Sequence, residues 1–285
     1  MIRFGCRAHD FGKKAPEELA QDIAKTGVEC VQLALSKALP ESPASPGITD
    51  VPAIVSAFNS QNLQIAVLGC YINPVHPDLN ERTKALARFE DHLAWAPNMG
   101  CAIVGTETGS VQPDCSYHPE TLSDATFKQL VISITRLVRY AENIGPVIVG
   151  IEPVAEKHTI QSPALVKRLL DEIDSPALGV IFDPVNLVPE TGIRLQDAFL
   201  DECFESFGSK IIAIHAKDYI LCEGSCGPVK SKSLPAGTGE LDWAGVFRRM
   251  KRFKLEGLPV LIEDIDPRFI AKTRAYLQKL WDDTC

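Results

Sequence analysis

A closed (β/α)8 barrel of the TIM type, in a single domain over residues 1–285, is the fold this chain predicts. Three observations predict it. Short apolar runs of strand length alternate with amphipathic helical stretches along the chain. The alternation repeats eight times, at about 36 residues per unit, which suits a barrel of roughly 250 residues or more. Strict βα alternation implies parallel strands, and the signatures of the open alternative are missing. No G-x-G-x-x-G follows the first strand and there is no P-loop; GTETGS (105–110) has two glycines at the wrong spacing.

Each element has a local reason. The first four strands are IRFGC (2–6), VECVQLAL (28–35), LQIAVLGCY (63–71) and CAIVGT (101–106). The second four are PVIVGIEP (146–153), ALGVIFDP (177–184), KIIAIHA (210–216) and LPVLIED (258–264). All are short and nearly continuously apolar, as strands covered on both faces must be. The helix at PEELAQDIAKTG (16–27) has Pro in its first turn, acids next and Gly at its end. DATFKQLVISITRLVRYAENIG (124–145) opens on an Asp and repeats Leu130, Ile134, Leu137 and Val138 at helical spacing. SPALVKRLLDEI (162–173), DWAGVFRRMKRFKLEG (242–257) and DPRFIAKTRAYLQKLW (266–281) follow the same rule, with Trp243 and Phe247 read as core. One connection is too long for a βα turn, the Pro- and Gly-containing stretch from about 219 to 240.

Composition narrows the function. The formal net charge is −8, which disfavours a nucleic-acid partner. No segment approaches the ~18 apolar residues of a membrane span. The start MIRFGCRAHDFG lacks a basic region followed by an apolar run, so a cytoplasmic protein is expected. Nine scattered cysteines are read as reduced thiols. Cys222 and Cys226 share a loop, but a structural zinc site needs a second pair.

In a barrel of this kind all strand C-termini open on one mouth, where active sites sit. Four of these ends carry chemistry: Glu152, Asp183, His215 and Glu263 each follow an apolar run. Glu152 to Asp183 is 31 residues and Asp183 to His215 is 32, one unit each; the 48 residues to Glu263 contain the long connection. One carboxylate at a strand end is normally the start of a solvated loop. Three acids converging on one mouth repel one another and resist desolvation, and a divalent cation removes that conflict. Oxygen ligands with one imidazole suit Mn²⁺, with Mg²⁺, Co²⁺ or Zn²⁺ as alternatives.

The motifs VGIEPV, GVIFDPVNLV, AIHAKDY, AGTGELDW and PVLIEDI resemble the xylose isomerase-like barrel superfamily. More narrowly, the chain resembles its sugar epimerase and isomerase branch, with relatives of D-tagatose 3-epimerase and inosose dehydratase. The resemblance is strongest from 146 to 265. It implies one divalent metal held by Glu152, Asp183, His215 and Glu263, with Glu152 and Glu263 also the acid/base pair of an enolisation. It implies a small sugar or polyol substrate, with a homo-oligomer compatible. The same site would serve a dehydratase or other lyase.

Asn186 stands where the epimerase pattern has a substrate-contacting histidine, and Lys217 lies in HAKD; both are candidate substrate contacts. Glu107 and His158, past the fourth and fifth strands, are added to that set, with Asn73 and His76 as weaker candidates. Lys217 could equally be ion-paired, and the glycines of AGTGELDW, Gly237 and Gly239, form either a tight turn or an anion site. An endonuclease IV-like nuclease would need further histidines that the second and third strand ends do not offer, and a non-catalytic barrel would not be expected to keep all four ligands.

Overall fold

The computed structural model describes residues 2–40, 45–47, 50–188, 196–224 and 227–284. Its centre is a closed barrel of eight parallel strands. In chain order these are β1 (Arg3–Arg7), β2 (Cys30–Leu33), β3 (Gln64–Gly69), β4 (Ile103–Glu107), β5 (Ile148–Glu152), β6 (Leu178–Phe182), β7 (Ile211–Ala216) and, after an inserted pair β8 (Asp218–Gly224) and β9 (Gly227–Leu234), β10 (Pro259–Ile262). β1 pairs with both β2 and β10, which closes the ring. Around it lie α1 (Pro16–Ala24), α2 (Leu35–Ala38), α3 (Val51–Ser60), α4 (Leu79–Trp95), α5 (Asp124–Ile144), α6 (Pro163–Ile173), α7 (Pro184–Leu187), α8 (Gln196–Phe207), α9 (Trp243–Arg252) and α10 (Ile270–Asp283). All eight barrel strands fall on the runs expected. No helix of the described residues is long and apolar enough to cross a membrane.

Two cores result. The larger lies between strands and helices and holds Phe182, Phe204, Phe207, Trp243 and Phe247. The smaller fills the barrel itself, with Cys30, Ala66, Val67, Ile103, Ile181, Ala213 and Leu261. This plug is thin and tightly fitted. A Cβ on Gly105 would sit 2.5 Å from Ile181 Cδ1, so the ring closes this tightly because that position has no side chain. Each buried aliphatic side chain contributes roughly 1.5–3 kcal/mol, and the plug also gives the strands a floor on which the mouth is built.

The long connection expected at 219–240 is not an irregular loop. β8 and β9 pair antiparallel as a hairpin, with Leu221 opposite Lys230 and Cys222 opposite Val229. Alternation turns Tyr219 and Lys230 inward and leaves Ile220, Cys222 and Val229 outside. Cys226 lies outside the described residues. Lys230 Nζ donates to the carbonyls of Val185 and Val188, which ties the hairpin to the turn carrying Asp183.

The two glycines of AGTGELDW resolve as a turn. Gly237 has φ +85°, a region open to glycine. The amides of this segment do bind an anion, but it is the chain's own: Asp218 accepts from the N–H groups of Tyr219, Gly237 and Leu241. Asp218 is fully buried, so it shapes the connection and does not line the site. Replacing it by Ala strands several amides. Asp218→Ala is expected to lower unfolding free energy in urea by about 3 kcal/mol, with Asp218→Asn recovering part of the loss.

Candidate metal centre

The period of a strand decides what the mouth contains. Inward positions alternate, so the residue two beyond each plug residue also points inward, one layer higher. Ile181 is followed by Asp183, Ala213 by His215 and Leu261 by Glu263. Gly150 is followed by Glu152, which lies opposite Glu107 in the β4–β5 register. The layer above the apolar plug is therefore polar and buried: Glu152, Asp183, His215 and Glu263 are all 4% exposed or less.

Donor atoms of these four side chains lie within 4.8 Å of one another, and they form the only such group among the described residues. His215 Nδ1 is 3.4 Å from Glu152 Oε1 and 3.2 Å from Glu263 Oε2, yet it is buried without a hydrogen bond. A ring nitrogen buried between two carboxylates, with an Asp beside it, is a donor set that fits a divalent ion. With donor bonds of roughly 2.0–2.6 Å, one ion spans a cluster of this width.

The other ring nitrogen shows how the imidazole is held. His215 Nε2 is 2.8 Å from Gln32 Oε1, and Gln32 Nε2 donates to Tyr71 Oη at 2.5 Å. Gln32 thus accepts the Nε2 proton and leaves Nδ1 for the cluster, the usual arrangement behind a metal-binding histidine. Gln32 and Arg7 are missing from the sequence reading, although each obeys the same rule: two residues past Cys30 and Gly5, the inward positions of β2 and β1. Gln32 was hidden inside an apolar run, and Arg7 lay one residue past another.

Two cations offset the acids. Lys217 Nζ lies 2.9 Å from Asp183 Oδ2, 2.8 Å from Glu263 Oε1 and 2.7 Å from Asp264 Oδ2, and it is buried. Arg7 bridges Asp10 and Asp264 and reaches within 3.6 Å of Glu263. The ionisation pattern follows. Burial pushes the Lys217 ammonium down, but Asp183, Glu263 and Asp264 raise it far more. Burial likewise opposes charge on Glu263, yet His215, Lys217 and Arg7 hold it well below the usual carboxylate range. Asp183, fully enclosed, is pushed up to about 6 by burial, against the pull of Lys217. His215 is lowered by burial and raised by Glu263 and Glu152, to a net of about 9.

The remaining candidates fall in several places. Asn186 Nδ2 donates to Glu152 Oε1 at 2.9 Å, so it orients that glutamate. Glu107 and His158 face one another across 3.8 Å at the rim. With Arg7, Lys37, Tyr71 and Lys217 they line the mouth cavity, about 330 Å³. Lys37, also absent from the sequence reading, places Nζ 3.8 Å from the Tyr71 ring centroid. Asn73 is spent on the backbone, donating to the carbonyls of Ser110 and Gln112, and His76 accepts from the Asp78 amide in a turn.

Two expectations follow for metal binding. In the free protein His215 is protonated below about pH 9, and a ligand must be neutral to bind. Apparent Mn²⁺ affinity should therefore rise about tenfold per pH unit between pH 6.5 and 8, with one proton released, as calorimetry in buffers of different ionisation enthalpy would show. Gln32→Leu should weaken the same affinity about 10- to 100-fold at constant pH.

The architecture has solved counterparts. A xylose isomerase-like TIM barrel protein from Mycobacterium smegmatis, in complex with magnesium, superposes with a TM-score of 0.76 at 17% identity, covering 99% of this chain and 98% of that one. A 3-keto-D-glucoside 4-epimerase from E. coli gives 0.74 at 17% identity over 98% and 100% of the two chains. A D-psicose 3-epimerase with D-tagatose from Clostridium cellulolyticum H10 gives 0.73 at 14% over 99% of each. No functionally curated protein matches in sequence. The family model described as xylose isomerase-like TIM barrel matches residues 20–280, and the chain belongs to that family.

Proposed function

We propose that this protein is a divalent-metal-dependent epimerase or isomerase of a keto sugar or keto-polyol, acting in the cytoplasm by proton removal beside a carbonyl. The observation that carries the reading is the placement of two buried glutamates on either side of His215 and Asp183, one ending β5 and the other following β10. Glu152, Asp183, His215 and Glu263 would hold the ion, with Mn²⁺ the choice this donor set favours and Mg²⁺ next. When bound, the ion supplies Lewis-acid polarisation of the substrate carbonyl.

The chain's own groups account for the proton movements. Glu263 is kept ionised by His215, Lys217 and Arg7, so it is the base that takes the proton from the carbon next to the carbonyl. Lys217 and Arg7 stay charged throughout and limit the negative potential that would oppose an enediolate. Glu152, with Oε1 oriented by Asn186, stands on the other side of the cluster and passes a proton taken from solvent to the opposite face, while Glu263 releases the one it removed to solvent. Return at the same carbon inverts it; return at the neighbouring carbon moves the carbonyl. The fold shared with a 3-keto-D-glucoside 4-epimerase, an L-ribulose 3-epimerase and a D-psicose 3-epimerase supports a sugar substrate.

In D₂O with Mn²⁺, a panel of ketoses and inososes should take up deuterium at one carbon, followed by NMR. Glu152→Gln and Glu263→Gln should each slow uptake by about 100-fold or more while leaving the fold intact. Bound metal without uptake from any substrate would overturn the reading; uptake accompanied by loss of water would reassign it to dehydration.

A further inference from the structure

Beside the mouth lies a second, larger cavity, a groove of about 730 Å³ against the 330 Å³ of the mouth. One wall is a face of α4, where Glu81, Lys84, Arg88 and Asp91 recur at helical spacing. Asp114, from the segment after β4, and Tyr71 line the groove as well. The two cavities adjoin, and Tyr71 and Glu107 line both. Glu107 stands where the two cavities meet, with Oε2 3.8 Å from His158 Nε2.

Size and charge together indicate the occupant. Sites for small organic ligands run from roughly 300 to 1,000 Å³, so the mouth alone accommodates one monosaccharide and leaves the groove over. The groove walls carry both signs, Lys84 and Arg88 against Glu81, Asp91 and Asp114. Such a wall makes no uniform field for a phosphate or a charged peptide, but it offers donors and acceptors at short intervals to a neutral polyhydroxyl group. From this adjacency we infer that the substrate is a conjugate: a keto sugar linked to a second sugar-sized unit, with the reacting sugar at the four-residue cluster and the second unit in the α4 groove. The inference rests on the enolisation reading above. Glu107 would accept a hydroxyl near the linkage. Binding of the remote unit would raise turnover as well as affinity, because contacts away from the reacting carbon help hold it in place.

The test uses the Mn²⁺-loaded protein in D₂O with D-fructose and three of its glucosyl conjugates that keep a free carbonyl, turanose, maltulose and palatinose. Two quantities are followed: deuterium entry beside the carbonyl, and saturation transfer from protein to glucosyl protons, which reports binding without turnover. At least one conjugate should show saturated glucosyl protons and a kcat/KM for exchange about tenfold or more above that of D-fructose. Ala87→Trp, on the exposed groove face of α4, should remove that advantage and leave D-fructose exchange unchanged. Lys84→Ala, a truncation of an exposed side chain, should reduce it in the same direction. Saturation confined to the ketose unit, or equal exchange of all four sugars in wild type and variants, would overturn the inference and leave the enolisation reading standing. No binding and no exchange from any of the four, with the metal bound, would overturn both.

Discussion

Three carboxylates and an imidazole buried in one cluster are the constraint on which the rest of this structure turns. Unpaired ionised groups are costly to bury, and like charges at this distance add to the cost. The chain answers with Lys217 and Arg7, each of which touches more than one acid. The compensation is incomplete. His215 is drawn into the charged state and Asp183 is pushed toward the neutral one, so the free cluster holds protons that a divalent ion would displace. The same electrostatics that make the cluster costly to bury favour a divalent cation over the protons it holds.

The barrel supplies the geometry because strand period and ring closure act together. A two-residue period turns every second side chain inward, and closure stacks those side chains into layers. The lower layer is apolar and small, down to glycine at 105 and 150. The upper layer holds Arg7, Gln32, Glu107, Glu152, Asp183, His215 and Glu263, one above each inward position of seven strands. A polar ring on a packed apolar floor is well placed for chemistry: the floor excludes water from below, and the ring's members brace one another, as Gln32 does His215 and Asn186 does Glu152.

Outside the ring, charged residues close to it in the fold have structural tasks. Asp218 follows the HAK triplet directly, yet it folds back to bind amides of the connection after β9. Lys230 crosses from the hairpin to the carbonyls behind Asp183. These contacts make the inserted hairpin part of the support for the site. They also show why a charged residue close to a cluster member in sequence need not face the cluster in space: at the end of a strand the chain turns, and the alternation that placed His215 stops.

The sequence by itself determined the eight strands, their parallel order and the four ends that carry Glu152, Asp183, His215 and Glu263. Those features are local or periodic: an apolar run sets a strand, its length sets where the run stops, and the first polar residue after it meets the mouth. What only the tertiary structure decided is which groups meet across the ring. Gln32 lies 183 residues from its partner His215, and Arg7 lies 256 residues from Glu263. Lys217 could be read as a substrate contact or as an ion pair until Asp183, Glu263 and Asp264 were seen around it. Asn186 kept its polarity but was turned to Glu152, and the 219–240 connection, which reads as a loop, is a hairpin held down by Tyr219 and Lys230. Pairing of this kind depends on closure of the barrel, which brings the first strand against the last, and no one-dimensional period contains that information.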